Sequence, residues 1–268
     1  MFGHFFVEQN SDVIILDSEL KVNVKSDSVN LTVYDTNIGG ELRSDGNGLK
    51  SLFTKLDNVS VASHLAINGK VLDMLGSSIS SSTSIEYDIV KMTNVTFGNE
   101  LKLEVSDSAV IQNVTVNLEL YGVINDIRLE SVETGYGANT LRVNKFWMSN
   151  STFEKLTDND NNYQVYVSDL DNANNASSSD VYIFNSTIKL VPSNEGYSFV
   201  FDLNTTGDIR ILDSEINVTN YETSRIELEG SDIWITNSTL WSGTKYGGSG
   251  CYYRCSNHDL YSDLNIYG

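Results

Sequence analysis

The stretch "DVYIFNSTIKL", residues 180–190, reads as a strand, a corner and a second strand. Val181 and Ile183 alternate with Tyr182 and Phe184, Asn185 interrupts the alternation, and Ile188 resumes an apolar position. The same phrase recurs as "DVIILDSELKV" (12–22), "DIRILDSEINV" (208–218) and "DIWITNSTLWS" (232–242). Alternation over four or five residues is the pattern of a strand with one buried face. Asn and Asp tolerate the left-handed backbone of a tight bend, so they suit the interruption.

Working outward from this phrase, corner residues fall at Asp17, Asp35, Asn58, Gly76, Asn94, Asn113, Ser131, Asn150, Asn185, Asp213 and Asn237. Two positions earlier, every one of these eleven units carries an apolar residue, from Ile15 to Ile235. Four positions earlier only Thr54 departs from that rule, and three positions later only Thr134 does. From Asn58 to Asn150 the corners are 18 or 19 residues apart, and 3.6-residue periodicity is absent. A unit this short cannot bury its own apolar face and must stack on its neighbours.

The arrangement expected is all-β: a parallel β-helix of about eleven coils, one per corner, with neighbouring strands about 4.8 Å apart. The shared apolar positions are two and five residues apart, which departs from the six-residue spacing of left-handed hexapeptide helices and favours a right-handed coil. After Asn150 the steps lengthen to 35, 28 and 24 residues. These longer connections are expected to project as loops, notably 157–180. Residues 1–11 are expected to form an N-terminal cap or contact segment, 12–242 the β-helix domain, and 243–268 a C-terminal cap or tail.

The chain has 268 residues, 40% of them hydrophobic, and a formal net charge of −19. That charge excludes the basic patch needed to neutralise nucleic-acid phosphates. No stretch approaches the roughly 20 apolar residues of a membrane-spanning helix. The opening "MFGHFFVEQN" lacks the basic n-region of a secretory signal, which fits a mature chain, another export route or a virion protein. Ten N-x-S/T sequons occur, six of them at the corner position. Glycosylation is expected off that column, at Asn175 and Asn204.

The tandem "NST" and "DSE" coils resemble the right-handed parallel β-helix (pectate-lyase-like) superfamily. Its members include polysaccharide lyases, phage tail spikes and adhesin-like surface proteins. The resemblance covers residues 12 to about 242. It implies either an inert or adhesive surface rod, or a carbohydrate-active enzyme with a basic residue and carboxylates at one point. No such constellation stands out. A charged outward column, Lys55, Asp73, Lys91 and Arg128, reads as alternating charges that hold coils together.

Further along this column come Trp147, Tyr182, Arg210 and Trp234, the candidate ligand-binding stripe. Its rings suit stacking on sugars, packing against another subunit, or lying beneath the 157–180 loop. In that loop Asp158, Asp160, Asn162 and Asp169 have part of a calcium-loop spacing, with Tyr163 where such loops need glycine. A calcium site and a solvated acidic loop both fit. Cys251 and Cys255 suit a local disulfide or two free thiols; with His258 they lack the fourth ligand of a zinc site. The function expected is a non-enzymatic extracellular, cell-surface or virion-surface protein. It would self-associate through its end coils and contact polysaccharide or a host surface.

Overall fold

The computed structural model describes residues 3–7, 12–26, 29–44, 51–135, 138–155, 163–167, 177–190, 198–220, 223–244, 249–255 and 260–267. All regular structure among them is β, and the strand pairs are parallel throughout, as in a β-solenoid. The chain divides into two compact units, Met1–Leu118 and Glu119–Gly268. About seven turns run without a break: 65–79, 83–97 and 101–116 in the first unit, and 120–134, 138–153, 198–218 and 223–242 in the second. This is fewer than the eleven coils counted from corners, because the remaining corners lie on coils interrupted by residues outside the description.

Every one of the eleven expected corner residues is left-handed, with φ between 44° and 58°. All are exposed, while the residue two positions earlier is buried in each unit. The corner therefore turns the chain at the surface and returns alternate side chains to the core. Asn and Asp also use their side chains along the stack. Asn58 Nδ2 donates to Asp35 Oδ1 at 2.6 Å, Asn185 to Asn150 at 2.8 Å, and Asn237 to Asp213 at 2.7 Å.

Each coil has three walls. In the first unit the middle wall stacks Asp12–Leu16 on Asn30–Tyr34, then on Ser51–Asp57 and on 71–75, 89–93 and 108–112. A short wall after the corner pairs Glu19–Leu20, Asn37–Ile38, Ser60–Val61, Ser78–Ile79 and Thr96–Phe97 in sequence. The wall before the middle one, built on Val24, Leu42, Leu65, Ile85 and Leu103, was not part of the repeated phrase. It closes the core on its third side. Within that core the Tyr87 hydroxyl is buried and donates to Thr54 Oγ1 at 2.7 Å, which supplies a partner for the polar exception in the apolar pattern. Burial pushes the Tyr87 pKa well above its ordinary value.

In the second unit the middle wall runs 127–130, 146–149, Val181–Phe184, Ile209–Leu212 and 233–236. The 157–180 segment is not wholly a projecting loop. Tyr163–Val167 forms a strand between 141–143 and Ser198–Asn204, with Val165 and Val167 buried. Its alternating valines supply the inward face that the wall requires. The segment expected to cap the first coil contributes Gly3–Val7, paired with Val22–Ser26. At the other terminus Ser249–Cys255 and Leu260–Tyr267 add to Thr223–Gly230 and Ile233–Thr244 as strands.

The residue after the corner was invisible in the repeat, and it carries the densest hydrogen bonding. Ser151, Ser186, Ser214 and Ser238 are buried. Each hydroxyl donates to the carbonyl two residues earlier, at 2.7 to 2.8 Å. Each also accepts an N–H from the neighbouring coil, from Val132, Ser151, Ser186 and Ser214 in turn.

The corner geometry makes a prediction that separates backbone from side chain. Asn185→Ala and Asn185→Gly both lose the bond to Asn150, but only alanine keeps a Cβ at positive φ. Chemical denaturation is expected to place the alanine variant about 1 kcal/mol below the glycine variant. Equal stabilities would mean that the left-handed corner does not constrain residue choice.

Candidate functional site

The outward column three residues before each corner brings the expected stripe together. In the second unit Arg128, Trp147, Tyr182, Arg210 and Trp234 are successive register partners across five strands. Parallel pairing holds their Cα atoms one strand spacing apart, so each side chain meets its neighbour along the stack. Trp147, Tyr182, Arg210 and Trp234 are half-buried.

What fills the ring faces decides what the stripe can do. The Arg128 guanidinium lies 4.2 Å from the Trp147 ring centre. Arg210 lies 5.2 Å from the Tyr182 ring and 4.8 Å from the Trp234 ring, on the strand between them. The guanidinium is therefore sandwiched between two aromatic faces. Arg210 also donates to the Tyr182 hydroxyl and to Asp208 Oδ2, each at 3.0 Å. Tyr182 in turn donates to Asp180 Oδ2 at 3.2 Å, and Asp180 Oδ1 accepts the Asp208 N–H. Burial raises the Tyr182 pKa, the positive charge of Arg210 opposes it, and Asp180 adds to the rise.

This network differs from an open sugar platform. Stacking a sugar needs a ring face turned to solvent, whereas each of these rings has a guanidinium over one face along the stack. The arrangement acts as a staple between coils, with each exposed cation–π contact contributing about 0.5–1 kcal/mol. Sequence reasoning placed Arg128 with the charged group; its register with Trp147 assigns it to the staple. Asp180 and Asp208 escaped notice. Their shared place two residues before Tyr182 and Arg210 was the available signal.

In the first unit the expected charge alternation is in register, with Lys55, Asp73 and Lys91 on consecutive strands. The ion pairing is different. Lys55 Nζ donates to the Tyr34 hydroxyl at 3.1 Å, sits 4.8 Å from that ring, and lies 3.5 Å from Asp57. Hydrogen bonding to Tyr34, with a smaller contribution from Asp57, raises the Lys55 pKa.

Asp158, Asp160, Asn162, Asp169 and Asn175 lie outside the described residues. Among the described residues no group of three or more His, Cys, Asp or Glu side chains is placed to hold a metal ion. Asn204 is half-buried and ends the wall strand Ser198–Asn204, in register with Glu229.

Cys251 and Cys255 both lie on Ser249–Cys255, in register with Ile226 and Gly230. Four residues of extended strand span about 13 Å, beyond the roughly 4.4–6.8 Å between Cα atoms of a disulfide. This strand and a bond between its two cysteines exclude one another. Mass spectrometry after alkylation in denaturant without reductant should find both thiols modified. A fully protected pair would require a different backbone at 249–255.

A second prediction concerns the staple. Arg210→Met, Trp234→Leu and the double variant form a cycle whose coupling in thermal or chemical denaturation is expected to be about 0.5–1 kcal/mol. A coupling of zero would remove the staple and leave the rings free for a ligand.

Comparisons with protein-family models, curated proteins and solved structures find no match. The likeness to pectate-lyase-like and adhesin-like proteins therefore rests on the coil repeat.

Proposed function

We propose that this chain is a non-enzymatic structural or adhesive protein of an extracellular, cell or virion surface, acting as the unit of a filament, sheath or fibre. One observation carries the reading: the conspicuous outward side chains of the second unit bond to each other along the stack. Arg128 covers Trp147, and Arg210 is held by Tyr182, Trp234 and Asp208. An enzyme of this architecture needs basic and acidic groups converging on substrate, whereas these groups are committed to joining coils. A net charge of −19 favours the solubility of such a surface protein. Sequons at Asn175 and Asn204 suit a glycosylated exterior, and Asp158, Asp160, Asn162 and Asp169 are the candidate calcium ligands of the 157–180 segment.

Light scattering of the purified chain, with and without calcium, tests the proposal. The expected result is species many times the 29.7 kDa of one chain, growing with concentration. A stable monomer would overturn it. A monomer that also binds a polysaccharide, with Trp147→Ala abolishing binding, would assign the stripe to carbohydrate recognition instead.

A further inference from the structure

The side-chain amides of the corner residues form a ladder with one sense. Asn58 Nδ2 donates to Asp35 Oδ1 at 2.6 Å, Asn113 to Asn94 at 3.3 Å, Asn185 to Asn150 at 2.8 Å and Asn237 to Asp213 at 2.7 Å. Where the acceptor is an aspartate the sense is fixed, because a carboxylate only accepts. In these four pairs the nitrogen reaches back to the preceding corner. Two asparagines break the ladder. Asn94 follows Gly76, which has no side chain, and Asn150 follows Ser131. Both accept through Oδ1, from Asn113 and Asn185, but among the described residues neither Nδ2 has a partner.

These two asparagines also open sequons, Asn94-Val95-Thr96 and Asn150-Ser151-Thr152. Both corners are exposed and left-handed, at φ 55° and 47°. The Asn94 oxygen is committed to the following coil, which turns its nitrogen toward Gly76. The space there is open: a Cβ at Gly76 would meet only the Asn58 backbone nitrogen, 4.0 Å away. The third sequon position is unengaged too, since neither the Thr96 nor the Thr152 hydroxyl has a hydrogen-bond partner among the described residues. The Asn58 sequon is the opposite case. Its amide is held by Asp35, and the Ser60 hydroxyl is paired with that of Ser78 at 3.1 Å.

We propose that Asn94 and Asn150 are N-glycosylation sites of the folded protein, and that the amide ladder shields the other corner sequons, Asn58, Asn113, Asn185 and Asn237. The donor is an activated sugar phosphate, nucleotide- or lipid-linked. The bond formed joins Nδ2 to the anomeric carbon of the sugar. The bond broken is the one from that carbon to its phosphate oxygen; the phosphate leaves with the electron pair, and one amide proton passes to base. An amide nitrogen that already donates to its neighbour must release that bond to reach the donor, whereas Asn94 and Asn150 have none to release. A sugar on Asn94 projects over Gly76, where no side chain competes for the space. The proposal rests on the surface location argued above and is independent of filament assembly. It places glycans on the corner column as well as off it.

The test uses the folded full chain, a soluble N-glucosyltransferase and UDP-glucose, with the rate at each site read by glycopeptide mass spectrometry. Synthetic peptides of each sequon, glucosylated in parallel, remove the enzyme's own sequence preference. Normalised in this way, Asn94 and Asn150 should react about tenfold faster than Asn58, Asn185 and Asn237, as expected where one hydrogen bond must first be released. Two substitutions move the shield. Gly76→Asp gives Asn94 an acceptor and should slow it about tenfold, and Asp35→Gly removes the acceptor of Asn58 and should speed it by as much. Asp and Gly both occupy left-handed corners in this chain, and unchanged circular dichroism would show that the coils stay folded. Equal normalised rates at all the corners, or rates at Asn94 and Asn58 that ignore both substitutions, would overturn the proposal. So would a folded chain left unmodified at Asn94 and Asn150 while the peptides react. The filament reading falls by a different result, a stable monomer in light scattering, which leaves these site rates as they are.

Discussion

The corner is the constraint on which the rest of the molecule depends. A left-handed residue costs about 1–2 kcal/mol for most side chains, and among the described residues this chain makes that turn at eleven corners. It does so with Asn, Asp and Gly at ten of them and Ser131 at the other. The turn reverses which face of the chain is outward, so the buried residue two before it and the buried residue three after it share one core. Were the corner to relax toward an extended conformation, the alternation would run on past the bend and place apolar residues in solvent.

Polar groups at the corner are handled by a division of labour. The corner side chain lies outside and bonds to the corner above or below it, as Asn185 does with Asn150. The following serine lies inside and satisfies a carbonyl of its own coil and an N–H of the preceding one. Buried backbone groups that the bend would orphan are thereby paired, which matters more than the modest net gain of each bond. Thr134 is the contrary case, with its hydroxyl buried and without a partner among the described residues.

The middle and short walls were legible because their residues keep fixed offsets from the corner. The third wall was not, because the connection between it and the corner varies in length and its apolar residues drift relative to the phrase. The strand Tyr163–Val167 was hidden for the same reason: it lies within a 35-residue step, where position no longer predicts wall. The stripe was found as a column, since register follows from the repeat. Its role was not, since sequence gives the order of Trp147, Tyr182, Arg210 and Trp234 but not the direction in which their rings face. Only the placement of guanidinium over ring separates a staple from a platform. The serine relay left a trace that could have been read. The position after the corner is always Ser, Thr or Val, the small or β-branched residues that fit a buried bend.

The four serines that follow corners in the second unit, Ser151, Ser186, Ser214 and Ser238, share one arrangement: each donates within its home coil and accepts an N–H from the preceding one. The column has a beginning and an end, and each bond knows only its immediate neighbour. Sequence can therefore be spliced between two coils without disturbing any bond in the column, provided the chain re-enters at the next corner. The 35 residues from Asn150 to Asn185 already do this: Phe146 still faces Val181 and Ser151 still meets Ser186. The stack behaves as a set of addressable slots, in which new loops can be acquired one at a time while the coils on either side stay the same.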